Sequence, residues 1–499
     1  MKINYKYLFL AGIGAAVTMS SCRRELLTPI PQTTISDASS FSTPSRISGQ
    51  LLSLYGVMKS GNFYGGRYVI DGDIKGEDFL NQTNNLITGA DVWALNPTNS
   101  ATAVINLWPQ VYATINDCNI FLDGMASTGT TVVGTALAAN YIAEAKLVRA
   151  LSYYSLLQLY ARPFADGNGS KLGVPLRLTA IKAPGASDLV RSPVADVYTQ
   201  ILKDLNDAEA GLPLIYTGTT AAVNNVTRAH RNTAIALKTR VYLSMQQYAN
   251  VITEANKIVN ATDPFAAASG VPHALQANIN NVFTTYTTTE SIFSVPMSNT
   301  TGDYPGTQNQ LGFYYSPPSS LGGVGNGEFS LNDAAGGIAA DAGWTATDAR
   351  KTNFILKTGS GSTARTWLTK YKVGGNYLDY VPVIRYSEVL LNLAEAKVRS
   401  TNTIDAQAVA LLNAVRNRSD AATTFTAASF ATSTDLINAI LKERRIEFLG
   451  EGLRNGDLIR LLQTIPAKGT AQAKTPADVG YIWPIPSGEL SLNKLAVDN

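Results

Sequence analysis

Residues 385–400 read RYSEVLLNLAEAKVRS, residues 406–420 read AQAVALLNAVRNRSD, and residues 435–463 read DLINAILKERRIEFLGEGLRNGDLIRLLQ. Apolar residues recur at helical spacing in each, and short polar breaks separate them, so the pattern predicts three amphipathic helices. In the third, Ile437, Leu441, Arg444 and Phe448 fall three or four residues apart on one face. A guanidinium on an apolar stripe is costly unless a carboxylate meets it. The first segment offers Glu388, Asn392 and Glu395 as a stripe beside Val389, Leu390, Leu393 and Ala396. The expectation is an internal pairing of Arg444 with Glu388 or Glu395 that docks the two helices, a structural role. Gly450 and Gly452 then end the third helix in the manner of C-cap glycines.

Outward from this stretch the chain continues in the same manner. Ile47, Leu51, Leu54 and Met58 give residues 46–59 a helical face, and further helical patches run over 107–125, 141–164, 196–213 and 228–259, the last broken near Gln246 and Gln247. Residues 61–100 are rich in Gly, Asn and Asp and read as irregular, with Trp93 and the acidic group Asp71, Asp73, Glu77 and Asp78, read as a solvated loop. From 265 to 380 Gly, Thr, Ser and Asn dominate, with interspersed aromatics and short apolar alternations such as ESIFSVPM at 290–297, which suggest a few strands. A loop-rich tract of this length inside a compact chain is usually functional.

Three spaced blocks of the opening stretch, RYSEVLLNLAE at 385–395, LLNAVRNR at 411–418 and ERRIEF–EG–R–D–L between Glu443 and Leu458, resemble the C-terminal half of the SusD/RagB family. Other blocks resemble it in the family's order: Trp108, Tyr112, Ile115 and Asn119; Glu144, Ala145, Arg149 and Ala150; Asp204, Leu205, Ala208, Leu212 and Pro213; and YIWPIPSGEL at 481–490. The resemblance implies a mainly α, SusD-like fold with a scaffold of about four tetratricopeptide-like helix pairs, plus a loop-rich subdomain with a few short strands. Such pairs stack because one alone cannot bury its face. It further implies an outer-membrane lipoprotein that captures oligosaccharide or polysaccharide fragments and delivers them to a SusC-like TonB-dependent transporter. A RagB-like peptide-binding role and a non-ligand-binding envelope scaffold are the alternatives.

Lys2 and Lys6 precede an apolar run from Tyr7 to Met19, followed by Ser20, Ser21 and Cys22, which reads as a lipoprotein signal peptide over 1–21 with cleavage before Cys22. Acylation of that thiol would anchor the mature protein without spanning the membrane. The location expected is the outer membrane, facing the cell surface, although Arg23 and Arg24 stand where surface-exported relatives carry acidic residues. The domain reading is a tether over 22–45, an N-terminal SusD-like part over 46–264, the loop-rich ligand side over 265–380 and a C-terminal helical part over 381–499.

Composition excludes several functions. Charged residues are 15% of the chain and the net charge is +3, with no clustered basic stripe, so no nucleic-acid footprint is present. Two cysteines and two histidines leave little for metal or imidazole chemistry. There is no Walker A loop, no H-E-x-x-H and no G-x-S-x-G elbow. Glu388 and Glu395 lie roughly 10 Å apart along a helix axis, and Glu443 and Glu447 stand beside Arg444 and Arg445, which would hold them ionised. No enzyme is expected, and no cofactor. The one cation candidate is a loose calcium site at Asp71 and Asp73, because Lys75 and Gln82 occupy the positions where an EF-hand needs ligands. Sugars present flat C–H faces flanked by hydroxyls, so the candidate ligand platforms are Trp93, Tyr304, Tyr314, Tyr315 and Trp344. Trp108, Tyr112, Tyr153, Tyr154 and Tyr242 sit at core spacing on helices.

Overall fold

A computed structural model describes residues 37–183, 185, 188–300 and 302–499. The signal segment 1–21, Cys22 and the first part of the tether lie outside the described residues. In chain order the principal helices are α1 (Pro44–Met58), α2 (Arg67–Ile74), α3 (Ala90–Trp93), α4 (Thr102–Gly124), α5 (Thr135–Tyr160), α6 (Val194–Gly211), α7 (Arg231–Ser244), α8 (Tyr248–Ala255), α9 (Leu311–Tyr315), α10 (Tyr386–Thr401), α11 (Ala406–Ser419), α12 (Ser433–Glu447) and α13 (Arg454–Ile459). The strands are β1 (Phe79–Asn81), β2 (Ser291–Val295), β3 (Phe329–Leu331), β4 (Ile355–Thr358), β5 (Arg365–Leu368) and β6 (Val381–Arg385).

The helices pack in series. α1 lies on α4, α4 on α5, α5 on α6, α6 on α7, α7 on α8, α8 on α10, and α10 on both α11 and α12. This gives the pairs α1/α4, α5/α6, α7/α8 and α10/α11, each burying a face against its neighbour. Ile47, Leu51, Leu54 and Met58 are the buried face of α1. The break between α7 and α8 falls where Gln246 takes a left-handed φ of 58°.

The buried face of α12 is displaced by one residue from the expected stripe. Leu436, Ile440, Glu443, Arg444 and Glu447 are buried, whereas Ile437 and Leu441 are only half-buried. Thr432 fixes this phase by capping the helix, accepting a hydrogen bond from the Asp435 N–H at 3.2 Å. The face thus carries Glu443, Arg444 and Glu447, and the partners of the two glutamates come from the loop-rich tract, from β6 and from α11. Arg350 pairs with Glu443 at 2.5 Å and Glu447 at 2.9 Å. Arg385 pairs with Glu290 at 2.5 Å, Glu447 at 2.8 Å and Glu451 at 2.8 Å. Arg418 joins Glu290 to Glu447 at 2.7 and 2.5 Å, and Lys370 meets Glu451 at 2.7 Å. Burial works against the charge on Glu447, yet the guanidinium groups of Arg418, Arg385 and Arg350 hold its carboxyl well below the usual range.

Two sheets complete the tract. One is four-stranded and antiparallel in the order β1-β3-β5-β4, and the other pairs β2 with β6. Residues 61–100, read as irregular, instead hold α2, β1 and α3. Its acidic group is not solvated: Asp71, Asp73, Glu77 and Asp78 are all buried. Glu77 is paired by Arg454 at 2.5 Å and Asp78 by Arg445 at 2.5 Å, cations supplied by sequence some 370 residues away.

His230 and His273 stack with ring centroids 5.2 Å apart. Burial, joined by the neighbouring imidazole, pushes His230 down to about 3, and burial pushes His273 down to about 4. Both are folded in the neutral form, while an unfolded histidine titrates near about 6.5. Their contribution is therefore complete above that value and is lost as the pH falls through the folded ones. The melting temperature is expected to decline from pH 7 to pH 4, and a flat profile in thermal melts over that range would contradict it.

Candidate functional site

The sequence candidates separate once their surroundings are known. Tyr314 and Tyr315, on α9, are fully buried. Arg67 sits 4.9 Å over the Tyr314 ring, and the Tyr315 hydroxyl donates to Asp73 Oδ2 at 3.2 Å. Trp344 is also buried, with the Lys351 ammonium 5.2 Å from its ring. These three are packing residues and cannot serve as open platforms, because α9 and the turns near it fold inward rather than outward. Tyr304 is half-buried, next in sequence to Asp303, which pairs with Lys59 at 2.6 Å. Of the five, Trp93 is the one that lines a groove, although it too is mostly packed into the core and only 7% of its surface is exposed.

Arg444 is buried, but its partners are Asp457, whose Oδ2 accepts from Nε at 2.9 Å, and Asn392, whose Oδ1 accepts from Nη1 at 2.6 Å. The expected Arg444–glutamate pairing is not formed. Glu388 is met bidentately by Arg240 of α7 at 2.7 and 2.6 Å, and Glu395 by Arg460 at 2.8 and 2.7 Å. Likewise Arg445 turns to Asp78, so Glu443 and Glu447 are held by Arg350 and Arg385 rather than by their sequence neighbours. The expectation failed because the matching cations arrive from distant elements. Replacing Arg444 by alanine leaves Asp457 buried with Arg460 as its remaining close cation, and is expected to cost about 3–5 kcal/mol of stability. A chemical-denaturation curve matching the parent would refute that. Burial opposes the charge on Asp457, but Arg444 and Arg460 hold its carboxyl down to about 2.

Asp71 and Asp73 do not form the loop a calcium ion needs. Both lie on α2, and Asp73 accepts from the Gly452 N–H at 2.9 Å as well as from Tyr315. Burial pushes Asp71 up to about 7, a direction that disfavours the anion a cation would require. Among the described residues no three His, Cys, Asp or Glu side chains are grouped to hold a metal.

The groove at Trp93 has a volume of about 460 Å³ and is built on the four-stranded sheet. Leu80 and Leu331, from β1 and β3, supply its apolar part, and Trp93 stands at one side. The indole N–H donates to the Phe79 carbonyl at 2.7 Å, which fixes the ring. Gly469, at φ 50°, approaches so closely that a Cβ there would sit 3.3 Å from the indole. Around this wall the rim is polar. Gln82 is the hub: its Oε1 accepts from Arg365 Nε at 2.6 Å, and its Nε2 donates to Ser330 Oγ at 2.9 Å. Arg365 is otherwise held by the carbonyls of Ser362 and Ala364 at 3.0 and 2.7 Å. Opposite it, Asp333 is exposed and accepts from Thr366 Oγ1 at 2.7 Å. Asn81 accepts from the Asn84 N–H at 2.6 Å, and its buried amide nitrogen has no hydrogen-bond partner. The edge of one aromatic ring, the amides of Asn81 and Gln82, a carboxylate and a guanidinium held only by neutral oxygens form a surface suited to a polyhydroxylated ligand. Sequence reading found Trp93 but missed Asn81, Gln82, Asp333 and Arg365. Only the strand register, which sets Leu331 beside Thr366 and Asn81 beside Phe329, brings them together.

Comparison with known proteins places this architecture. A family model described as "SusD family" matches residues 346–499, and one described as "Starch-binding associating with outer membrane" matches residues 34–243. A SusD superfamily protein of Bacteroides fragilis, known from its crystal structure, is 32% identical; the match covers 91% of this chain and 99% of that one, with a TM-score of 0.79. The chain belongs to the SusD/RagB family. The surface glycan-binding protein A of Bacteroides thetaiotaomicron, solved in complex with laminarihexaose, shares the SusD fold at 17% identity, with a TM-score of 0.71 over 92% of this chain and 99% of that one. The SusD-like protein P25 of Formosa agariphila is 22% identical over 270 residues, which are 53% of this chain and 46% of that protein, so the chain spans about half the length of this relative. Residues 244–345 lie outside both matched SusD-family segments, and they carry β2, β3 and Asp333. No helix among the described residues is long and apolar enough to cross a membrane.

Proposed function

We propose that this SusD-family protein captures oligosaccharide fragments in the groove at Trp93 and delivers them to a SusC-like TonB-dependent transporter, without chemical change to the ligand. Cys22 serves as the lipid anchor to the outer membrane in this reading. The observation that carries it is the groove lined by Trp93 together with Gln82, Asp333 and Arg365, polar groups of the kind that pair with hydroxyls. The glycan-bound relative of the same fold supports the ligand class. Glu443 and Glu447, one turn apart on α12, are buried and locked in pairs with arginines, which does not leave them as the acid and nucleophile flanking a glycosidic bond.

The test is isothermal titration of the purified mature protein against laminarin, starch and xylan oligosaccharides, with di- to hexapeptides as a separate arm. Binding to at least one glycan is expected, with no change in the glycan on recovery. Binding confined to peptides would transfer the groove to the other ligand class. No binding in either arm, together with co-purification of envelope proteins, would favour the scaffold role.

A further inference from the structure

Outside the groove, one aromatic pair differs from the rest. Tyr286 and Tyr380 stack nearly parallel, with centroids 4.5 Å apart and an interplanar angle of 12°. Among the described aromatic pairs it is the one in which both rings keep part of their surface in solvent. Tyr286 adopts a left-handed φ of 62°, a conformation that a bulky side chain takes only when its surroundings require it. The requirement is visible: its hydroxyl donates to Asp379 Oδ1 at 2.9 Å, and Asp379 also accepts the N–H groups of Lys372 and Val373 at 3.2 and 2.9 Å. Tyr380 is fixed from the other side by β6, which begins at the next residue. Polar side chains lie close to the two tyrosines in sequence, and Lys372 shares Asp379 with Tyr286. The exposed Lys372 ammonium reaches Asn280 Oδ1 at 3.3 Å, and the Asn376 amide bonds Asn299, itself exposed.

We infer that the Tyr286–Tyr380 stack is a second carbohydrate platform, taking the C–H face of a pyranose ring on its solvent side, with Lys372 and the flanking amides as partners for its hydroxyl or carboxylate groups. A ring held flat by a stacked neighbour and a bonded hydroxyl loses little freedom when a sugar settles on it. The pair shares no residue with the lining of the groove at Trp93, so a polymer long enough to touch both gains avidity that a short oligosaccharide does not. This inference rests on the glycan-capture reading and adds a site to it.

The experiment uses affinity gel electrophoresis with laminarin, soluble starch and polygalacturonate on the parent protein, Tyr380→Ala and Tyr380→Phe, with melting temperatures recorded for each. Loss of the ring in Tyr380→Ala is expected to weaken retention by the polymer the parent binds best by about tenfold, while Tyr380→Phe keeps the face and stays near the parent. On the unsubstituted protein, the same polymer is expected to protect Tyr286 and Tyr380 from hydroxyl-radical labelling, a readout independent of whether any variant folds. Equal retention of parent and Tyr380→Ala, or unprotected tyrosines in a parent that binds polymer, would overturn the second platform and leave capture at the groove standing. A parent that binds none of the polymers would overturn the capture reading and this inference with it.

Discussion

Arg385→Ala is expected to be the most destabilising single substitution in this protein, costing about 3–5 kcal/mol or more. Arg385 is 1% exposed, and its guanidinium contacts Glu290, Glu447 and Glu451 while also donating to the Glu447 carbonyl at 3.1 Å. Its removal leaves three buried carboxylates to share Arg350, Arg418 and Lys370. The energy of such a pair comes less from attraction than from the penalty of leaving its partners unmatched. Burial and like-charge proximity would then drive protonation of one or more of the three. In the parent, the arginines hold Glu447 and Glu451 below the usual carboxylate range, so their contribution is lost as the pH falls. In the variant a folded-state carboxyl raised by burial reverses that slope, and its stability is expected to gain relative to the parent's as the pH is lowered. Thermal melts at several pH values measure both effects. Arg385→Lys retains one charge but not the planar fork, and is expected to fall between the two.

Arg365→Ala is expected to produce the largest loss of ligand affinity with the least loss of stability. Arg365 is half-buried, bonded to Gln82 Oε1 and two carbonyls, so its removal frees Gln82 without leaving a buried carboxylate unmatched. A hydrogen bond from a charged donor to a ligand is worth about 1.5–3 kcal/mol, which corresponds to roughly tenfold to a hundredfold in dissociation constant. Titration calorimetry with the best glycan from the panel measures it, and a melting curve recorded in parallel separates affinity from folding. Unchanged affinity would remove Arg365 from the binding rim.

The sequence and the structure agree where the physics is local. Helices α1, α4, α5, α6, α10 and α12 announce themselves by apolar spacing, and the break at Gln246 by the interruption of that spacing. They part where partners are remote. Arg444 was legible as a buried cation, but nothing within the helix states that Asp457 and Asn392 would meet it, or that Arg240 of α7 would take Glu388. The acids of 71–78 look solvated until the sequence near 445–454 is folded over them. Aromatics in a Gly- and Asn-rich tract carry no sign of which way they point, which is why Tyr314, Tyr315 and Trp344 turned out to be core. The groove was legible only at Trp93, since its other members are ordinary polar residues until a short antiparallel sheet sets them side by side.

The arginines gathered around the carboxylates of α12 have a consequence for how this fold can be altered. Arg350, Lys370 and Glu290 are the studs by which the loop-rich tract is riveted to the helical stack. The segment between them is also tied to the core, through Tyr315 on Phe79 and Asp73 and through β3 between β1 and β5, so an exchange must keep those contacts as well as the sign and spacing of the rivets. A chimaera that transplants residues 296–345 from another member with matching studs and matching core aromatics should therefore retain its melting behaviour while acquiring a foreign taste in ligands.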